Sequence, residues 1–386
     1  MKRLYSLIIL LIIHNTQAQE WKYITPLKFQ SEITYFETTP DGILYMFDEH
    51  TNNISSTSDG LIWKKKYEGT NLKDMQMDND NLGFVLKNSS LIKTSNGFHP
   101  NSISEISINA TSAQALHFID SQIGFISCTT GGVLKTLDSG NTFTAINTSS
   151  TTETLNDVFF LNENVGFVCG SKGNIYKTTN QGESWTSMNI SGNVPLNKIL
   201  YLDNNVGFLI GGATVYKTTN QGESWNVIFT GYSTLLDIKQ YNNILYVTGK
   251  AGRLYSSSDF GLNWNEHIVV PSNFVEIRSM TIFNENILVS YEGNGGGKIY
   301  QSPNLTDWSI ILEGIMESSL RDISFSNDNY GVATGIYAGS DGITNVIIQT
   351  SNGGYTWTVK RSSQTNTLYR AVEMNADGTG LVVGGS

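Results

Sequence analysis

The twelve residues Asn174-Ile175-Tyr176-Lys177-Thr178-Thr179-Asn180-Gln181-Gly182-Glu183-Ser184-Trp185 return almost unchanged forty residues later, from Thr214 to Trp225. Looser copies run from Ser58 to Trp63, Thr136 to Phe143, Ser258 to Trp264, Ser302 to Trp308 and Ser351 to Trp357. Thr94-Ser95-Asn96-Gly97 is a remnant without its aromatic. A repeat every roughly 40–45 residues excludes most folds, because each copy must be one small unit that buries its faces only by stacking on the next.

The repeated string reads as a hairpin clasp. Tyr176 to Thr178 alternate apolar and polar, as a half-buried strand does. Asn180 can turn its side-chain oxygen back onto the N–H groups of the turn, and Gly182 supplies positive φ. Trp185 then opens the return strand as a large apolar wedge. On this reading Asp59, Asn96, Asp138, Asn180, Asn220, Asp259, Asn304 and Asn352 are structural turn residues. They are not metal ligands or catalytic acids, because the turn consumes their oxygens.

Each unit carries more than its clasp. Leu155 to Phe160, Val165 to Gly170, Ile175 to Thr178 and Trp185 to Met188 read as four short strands. Four strands per unit define a propeller blade. The fold class is therefore all-β, a β-propeller of four-stranded blades. Eight clasps and leftover strands at both ends count to eight or nine blades, with seven plus accessory strands as the alternative. Glu20 to Ile24 resembles a fourth strand, while Leu368 to Met374 and Gly380 to Gly384 resemble a first and a second. The two ends are thus expected to share a closing blade. No linker or charge run divides the chain, which predicts a single domain over residues 19–386.

Residues 1–18 read as a secretory signal: Lys2 and Arg3, the apolar run Leu4 to Ile13, then Thr16-Gln17-Ala18 at a cleavage site. The mature chain is expected to start at Gln19, secreted or periplasmic in the cell envelope. The run is too short to span a bilayer, and no membrane span is expected elsewhere. A net charge of −10 argues against nucleic acid, which needs a basic surface.

Recognisable chemistry is sparse. His50, His99, His117 and His267 lack paired metal spacing, so neither a metal nor a cofactor is expected, and no residue is assigned a catalytic role. Cys128 and Cys169 lie on second strands of adjacent blades and point to opposite faces of their sheets. Sheets stack about 10 Å apart, while a disulfide needs Cα atoms within about 7 Å. Two buried thiols are therefore favoured over a bridge. The most informative polar set begins each first strand: Lys73-Asp74, Asn156-Asp157, Asn197-Lys198, Leu236-Asp237, Arg278-Ser279, Arg321-Asp322 and Tyr369-Arg370. Either these groups pair internally, or Lys73, Lys198, Arg278, Arg321, Tyr369 and Arg370 bind a peptide or glycan at one mouth of the channel. The segments that vary most between units lie on that same face.

The Ser/Thr-x-Asp/Asn-x-Gly-x-x-Trp clasp resembles the Asp-box, or BNR, repeat. The fuller unit adds Leu-x-Asp-Ile-x-Phe and Asn-x-x-Gly-Phe-Val-x-Gly, and is similar to the photosystem II assembly/stability-factor family and its secreted bacterial relatives. That resemblance implies a non-enzymatic, chaperone-like binding module with a protein or glycan partner, here read as a monomer. Similar boxes occur in sialidases and endoglucanases, so a secreted glycoside hydrolase is the alternative. Sialidases hold their substrate carboxylate with three arginines, and no Arg occurs between Gln19 and Lys250. Facing carboxylates of a glycosidase cannot be picked out among the many aspartates.

Overall fold

The computed structural model describes residues 33–385 except 49–51, 59–63, 80, 110–111, 151, 293–297, 314–317, 328–329, 340–341, 352–357, 364–367 and 376–378. Eight antiparallel four-stranded sheets follow in chain order, each pairing its strands consecutively. Their first strands, which number blades 1 to 8, are Ile33–Thr38, Leu72–Met77, Ala113–Phe118, Leu155–Phe160, Leu196–Tyr201, Leu235–Tyr241, Glu276–Phe283 and Ser318–Phe325. A two-stranded ninth sheet, Leu368–Met374 with Gly380–Gly385, ends the series.

Seven of these blades close a ring. The first strand of each lies against the first strand of the next, and that of blade 7 lies against that of blade 1. Phe36, Leu44 and Met46 of blade 1 share one buried cluster with Phe283, Leu288 and Ile299 of blade 7. Across the same seam the hydroxyls of Thr38 and Thr281 meet at 2.7 Å. Blade 8 and the two-stranded sheet lie outside this ring and stack on each other, with the Met374 N–H donating to Ser324 Oγ at 3.0 Å. The strand foreseen at Glu20 to Ile24, and with it the shared closing blade, lies outside the described residues.

The recurrent Gly-Phe pair that opens the second strands has a packing cause. A Cβ on Gly124 or Gly166 would strike the aromatic ring that ends its own blade's first strand, Phe118 or Phe160. The Phe after the glycine then stacks on the corresponding ring of the next blade. Phe84 meets Phe118 at 3.7 Å, Phe125 meets Phe160 at 3.4 Å and Phe167 meets Tyr201 at 4.6 Å between centroids. One dipeptide thereby sets the spacing inside a blade and the contact between blades.

The clasps depend on two side chains. Thr178 Oγ1 accepts from the Gly182 N–H at 2.9 Å and donates to Asn180 Oδ1 at 3.0 Å. Asn180 Oδ1 in turn accepts from the Ser184 N–H at 3.0 Å. The arrangement repeats at Thr218 and Asn220, at Thr136 and Asp138, and at Ser257 and Asp259. Asn304 instead accepts from the Thr306 and Asp307 N–H groups. The remnant at Asn96 keeps the threonine half, with Thr94 Oγ1 accepting from the Phe98 N–H at 2.7 Å. Asp59 and Asn352 lie outside the described residues. The wedge works between blades, since Trp185 Nε1 donates to the Ile146 carbonyl of the preceding blade at 2.8 Å.

A lysine strap repeats on the same face. Lys135, Lys177 and Lys217 each lie over a Phe of their own blade and reach the next clasp. Their ammonium groups bond Gln181 Oε1 at 3.0 Å, Glu223 Oε1 at 2.5 Å and the Phe260 carbonyl at 2.8 Å. Cys128 and Cys169 are free and buried, and burial pushes the Cys128 thiol up to about 12.

Candidate functional site

The polar pairs that open the first strands mark β-bulges. Register shifts between Leu72 and Asp74, Leu155 and Asp157, Leu196 and Lys198, Leu235 and Asp237, Leu320 and Asp322, and Tyr369 and Ala371. The extra residue of a bulge bends the strand and re-aims its neighbours. Lys73 is such an extra residue and is exposed. Arg321 and Arg370 hold the equivalent positions on blade 8 and the ninth sheet, with Tyr369 beside Arg370. These three do not share the seven-bladed ring with Lys73, Lys198 and Arg278.

Below the bulges, residues two apart on a strand share a face, and the inner strands present two tiers. The upper tier holds Tyr35, Asp74, Asp157, Lys198 and Asp237. The lower holds Glu37, Gln76, His117, Phe159 and Lys239. An inner strand has no partner on its channel side, so its N–H and C=O groups need side chains. The preceding blade supplies them. Asp74 accepts from the Leu116 N–H at 2.9 Å, and Asp157 from the Ile199 N–H at 2.7 Å. Asn156 and Asn197 donate to the Leu196 and Leu235 carbonyls, and Gln76 brackets Phe118 with two 2.8 Å bonds.

Lys198 is the hub. Its ammonium lies 3.1 Å from Asp157 Oδ1, and 29% of its side chain still meets solvent. Burial would lower its pKa, but Asp157, Asp74 and Asp237 outweigh that and hold the ammonium well above its ordinary value. Asp237 is itself held by the Ser279 hydroxyl at 3.0 Å. Burial pushes the Asp157 carboxyl up to about 6 against the pull of Lys198. It also pushes Glu37 up to about 7, with Lys239 and the Tyr35 hydroxyl resisting, and pulls His117 down to about 4. Lys239 crosses to blade 1, donating to the Phe36 carbonyl at 2.9 Å beneath the Tyr35 ring. Arg278 is ion-paired with Glu276 at 3.0 Å and with Glu292.

These groups give stability a pH dependence of definite sign. Glu37 titrates about 7 when folded against 4.5 ordinarily. Between those values the unfolded chain holds fewer protons, so the Glu37 contribution falls as pH rises from 4.5 to about 7. Asp157 acts in the same sense and His117, with a lowered value, in the opposite one. Glu37→Gln is expected to remove its share of the slope and to raise stability relative to wild type above pH 7. Urea unfolding at several pH values measures both.

The same rim from which the bulged first strands start, where second strands turn into third and blades are linked, carries exposed apolar side chains. Val194, Tyr232 and Phe274 stand on three successive links, from blade 4 to blade 7, and Phe274 is 85% exposed. The Arg253 guanidinium lies 4.1 Å from the Tyr232 ring centre and bonds Glu266 at 2.6 Å. The link before blade 4 is instead pinned from within. Buried Glu153 accepts from the Lys172 N–H at 2.8 Å, Asn174 Nδ2 at 2.8 Å and the Tyr176 hydroxyl at 2.6 Å.

Sequence reasoning found the bulge pairs but missed Tyr35, Glu37, His117 and Lys239. Aligning first strands on their bulges would have placed them in the two tiers. Among the described residues no three His, Cys, Asp or Glu side chains are arranged to hold a metal. No helix there is long and apolar enough to cross a membrane.

Stacked four-stranded blades around a bonded channel define a multi-bladed β-propeller. Residues 98–232 match the family described as photosynthesis system II assembly factor YCF48. Over that stretch, short of half the chain, the repeats are similar to those of the assembly-factor family. No curated protein matches it in sequence. A GH74 enzyme of Niastella koreensis is 14% identical over 93% of this chain and 70% of its own, with a TM-score of 0.62. The GH74 xyloglucanase of Xanthomonas campestris is 12% identical over 93% and 71%, also at 0.62. The structure of YCF48 bound to D1 peptide is 17% identical over 70% of this chain and 90% of its own, at 0.44. The two GH74 likenesses show a shared fold.

Proposed function

We propose that this chain is an exported, non-catalytic propeller that recognises a protein partner through the loop-rich face. The observation that carries the reading is the row Val194, Tyr232 and Phe274 on consecutive links. Large apolar side chains exposed together on loops of a rigid scaffold mark a contact surface. Tyr and Phe supply contact area at low entropy cost. The channel favours binding over catalysis, because Asp74, Asp157 and Asp237 each hold a neighbouring strand or hydroxyl. The family match supports an assembly role, and export rests on the pattern of residues 1–18.

The test sets the mature chain beside a Tyr232→Ser, Phe274→Ser double variant, both immobilised and exposed to envelope proteins of the source cell. The same partner should be retained by the first and lost by the second at equal melting temperature. Retention by both sinks the assigned face. Turnover of a polysaccharide by the purified chain sinks the non-catalytic reading. Binding to a glycan array alone makes the ligand a glycan.

A further inference from the structure

The clasps provide an internal comparison. In blades 4 and 5 the residues flanking the turn glycine are Gln181 and Glu183, and Gln221 and Glu223. Blade 6 puts Phe260 and Leu262 in those places. The backbone is the same in all three, with φ of 63° and 87° at Gln181 and Gly182, 54° and 76° at Gln221 and Gly222, and 58° and 89° at Phe260 and Gly261. A bulky residue at positive φ is unfavourable, and burial does not offset it here. Phe260 is 43% and Leu262 78% exposed. Tyr241, which ends the first strand of the same sheet, is also exposed, as are Val227 and Ile310 on the fourth strands of blades 5 and 7. Exposed apolar side chains therefore occur on three adjacent blades, at the clasp turns of blade 6 and at the starts of the fourth strands of blades 5 and 7.

Charge defines what fits there. Besides Glu223, which Lys177 neutralises, the turns of blades 5 to 7 on this face carry Asp203, Asp259, Glu285 and Asp307. The nearby lysines are committed to the straps, Lys177 to Glu223 and Lys217 to the Phe260 carbonyl. We propose that the clasp face of blades 5 to 7 docks a protein segment whose apolar side chains are flanked by Lys or Arg. An acidic rim around apolar knobs attracts such a segment and repels anionic partners. A second copy of this chain, at −10, would bring like charge to the contact. This surface is on the face opposite the Tyr232 row and does not depend on that reading.

The probe is a short synthetic peptide of Leu, Phe and Lys, with a Lys→Glu version as control. Binding is followed by fluorescence anisotropy to the wild type, to Phe260→Gln with Leu262→Glu, and to Tyr232→Ser with Phe274→Ser. Gln and Glu already occupy the equivalent places in blades 4 and 5, so the first pair should keep its melting temperature. The wild type should bind the basic peptide and not the acidic one. The Phe260 and Leu262 pair should weaken binding at least about tenfold, and the Tyr232 pair should leave it unchanged. Leu262→Glu adds negative charge, so purely ionic attraction would strengthen instead. Unchanged or tighter binding by that variant overturns the proposal, as does absence of wild-type binding or loss in the Tyr232 pair. Self-association of the wild type that the Phe260 and Leu262 pair abolishes would assign the patch to a second copy and overturn it too.

Discussion

Phe160→Ala is expected to destabilise the chain by about 3–5 kcal/mol, the range for deleting a fully buried aromatic ring. The ring is buried, stacks on Phe125 of the preceding blade at 3.4 Å, and receives the edge of Trp185 at 6.1 Å. It also covers Gly166, where a Cβ would strike it. Truncation empties one site that serves two blades and a wedge, and relaxation of either sheet is opposed by its own ladder. The denaturation midpoint should fall with little change in secondary structure. A loss below about 1 kcal/mol would show that the inter-blade stack is not what holds blades 3 and 4 together.

Lys198→Met should cost about 3 kcal/mol at pH 8, in line with removing one partner of a buried ion pair. The Asp157 carboxylate is left without its cation among Asp74 and Asp237, and it already titrates at about 6. Without Lys198 its pKa rises further. A carboxyl whose folded pKa is raised loses stability as pH climbs from its unfolded value towards the folded one. The deficit should therefore shrink when Asp157 is protonated, near pH 5, and grow towards pH 8. An equal deficit at both values would mean that Lys198 acts through packing of its stem rather than through charge.

The clasp and the four-strand unit were legible because their chemistry is local. Thr178, Asn180, Gly182 and Trp185 act within eight residues, and repetition turns a weak pattern into a firm one. The Gly-Phe pair was visible too, although its meaning was not, since Phe125 finds Phe160 only when blades stack. The channel was harder to read. For Asp74, Asp157 and Asn197 the sequence leaves internal pairing and a binding mouth both open, and pairing is seen only when each bonds an inner strand about forty residues on. Counting clasps gives the eight four-stranded sheets but not how many of them close the ring, because a clasp does not say which sheet faces close on each other. Phe36 and Met46 meeting Phe283 and Leu288 decides that. Phe260 and Leu262 are readable by comparison with Gln181 and Glu183, because apolar residues there depart from the polar pattern of the other clasps.

The seam between blades 1 and 7 has a dynamic consequence. Every other junction in the ring joins units adjacent in sequence, whereas Thr38 and Thr281 are 243 residues apart. Bringing such distant segments together carries the largest chain-ordering penalty in the ring, and among the described residues no strand pairs across it. The circle resembles a bracelet fastened by friction. In native-state hydrogen exchange, the amides of Ile33–Thr38 and Glu276–Phe283 should open together, at lower energy than those of blades 3 to 5. The ring would then loosen at one fixed place, without unfolding any blade.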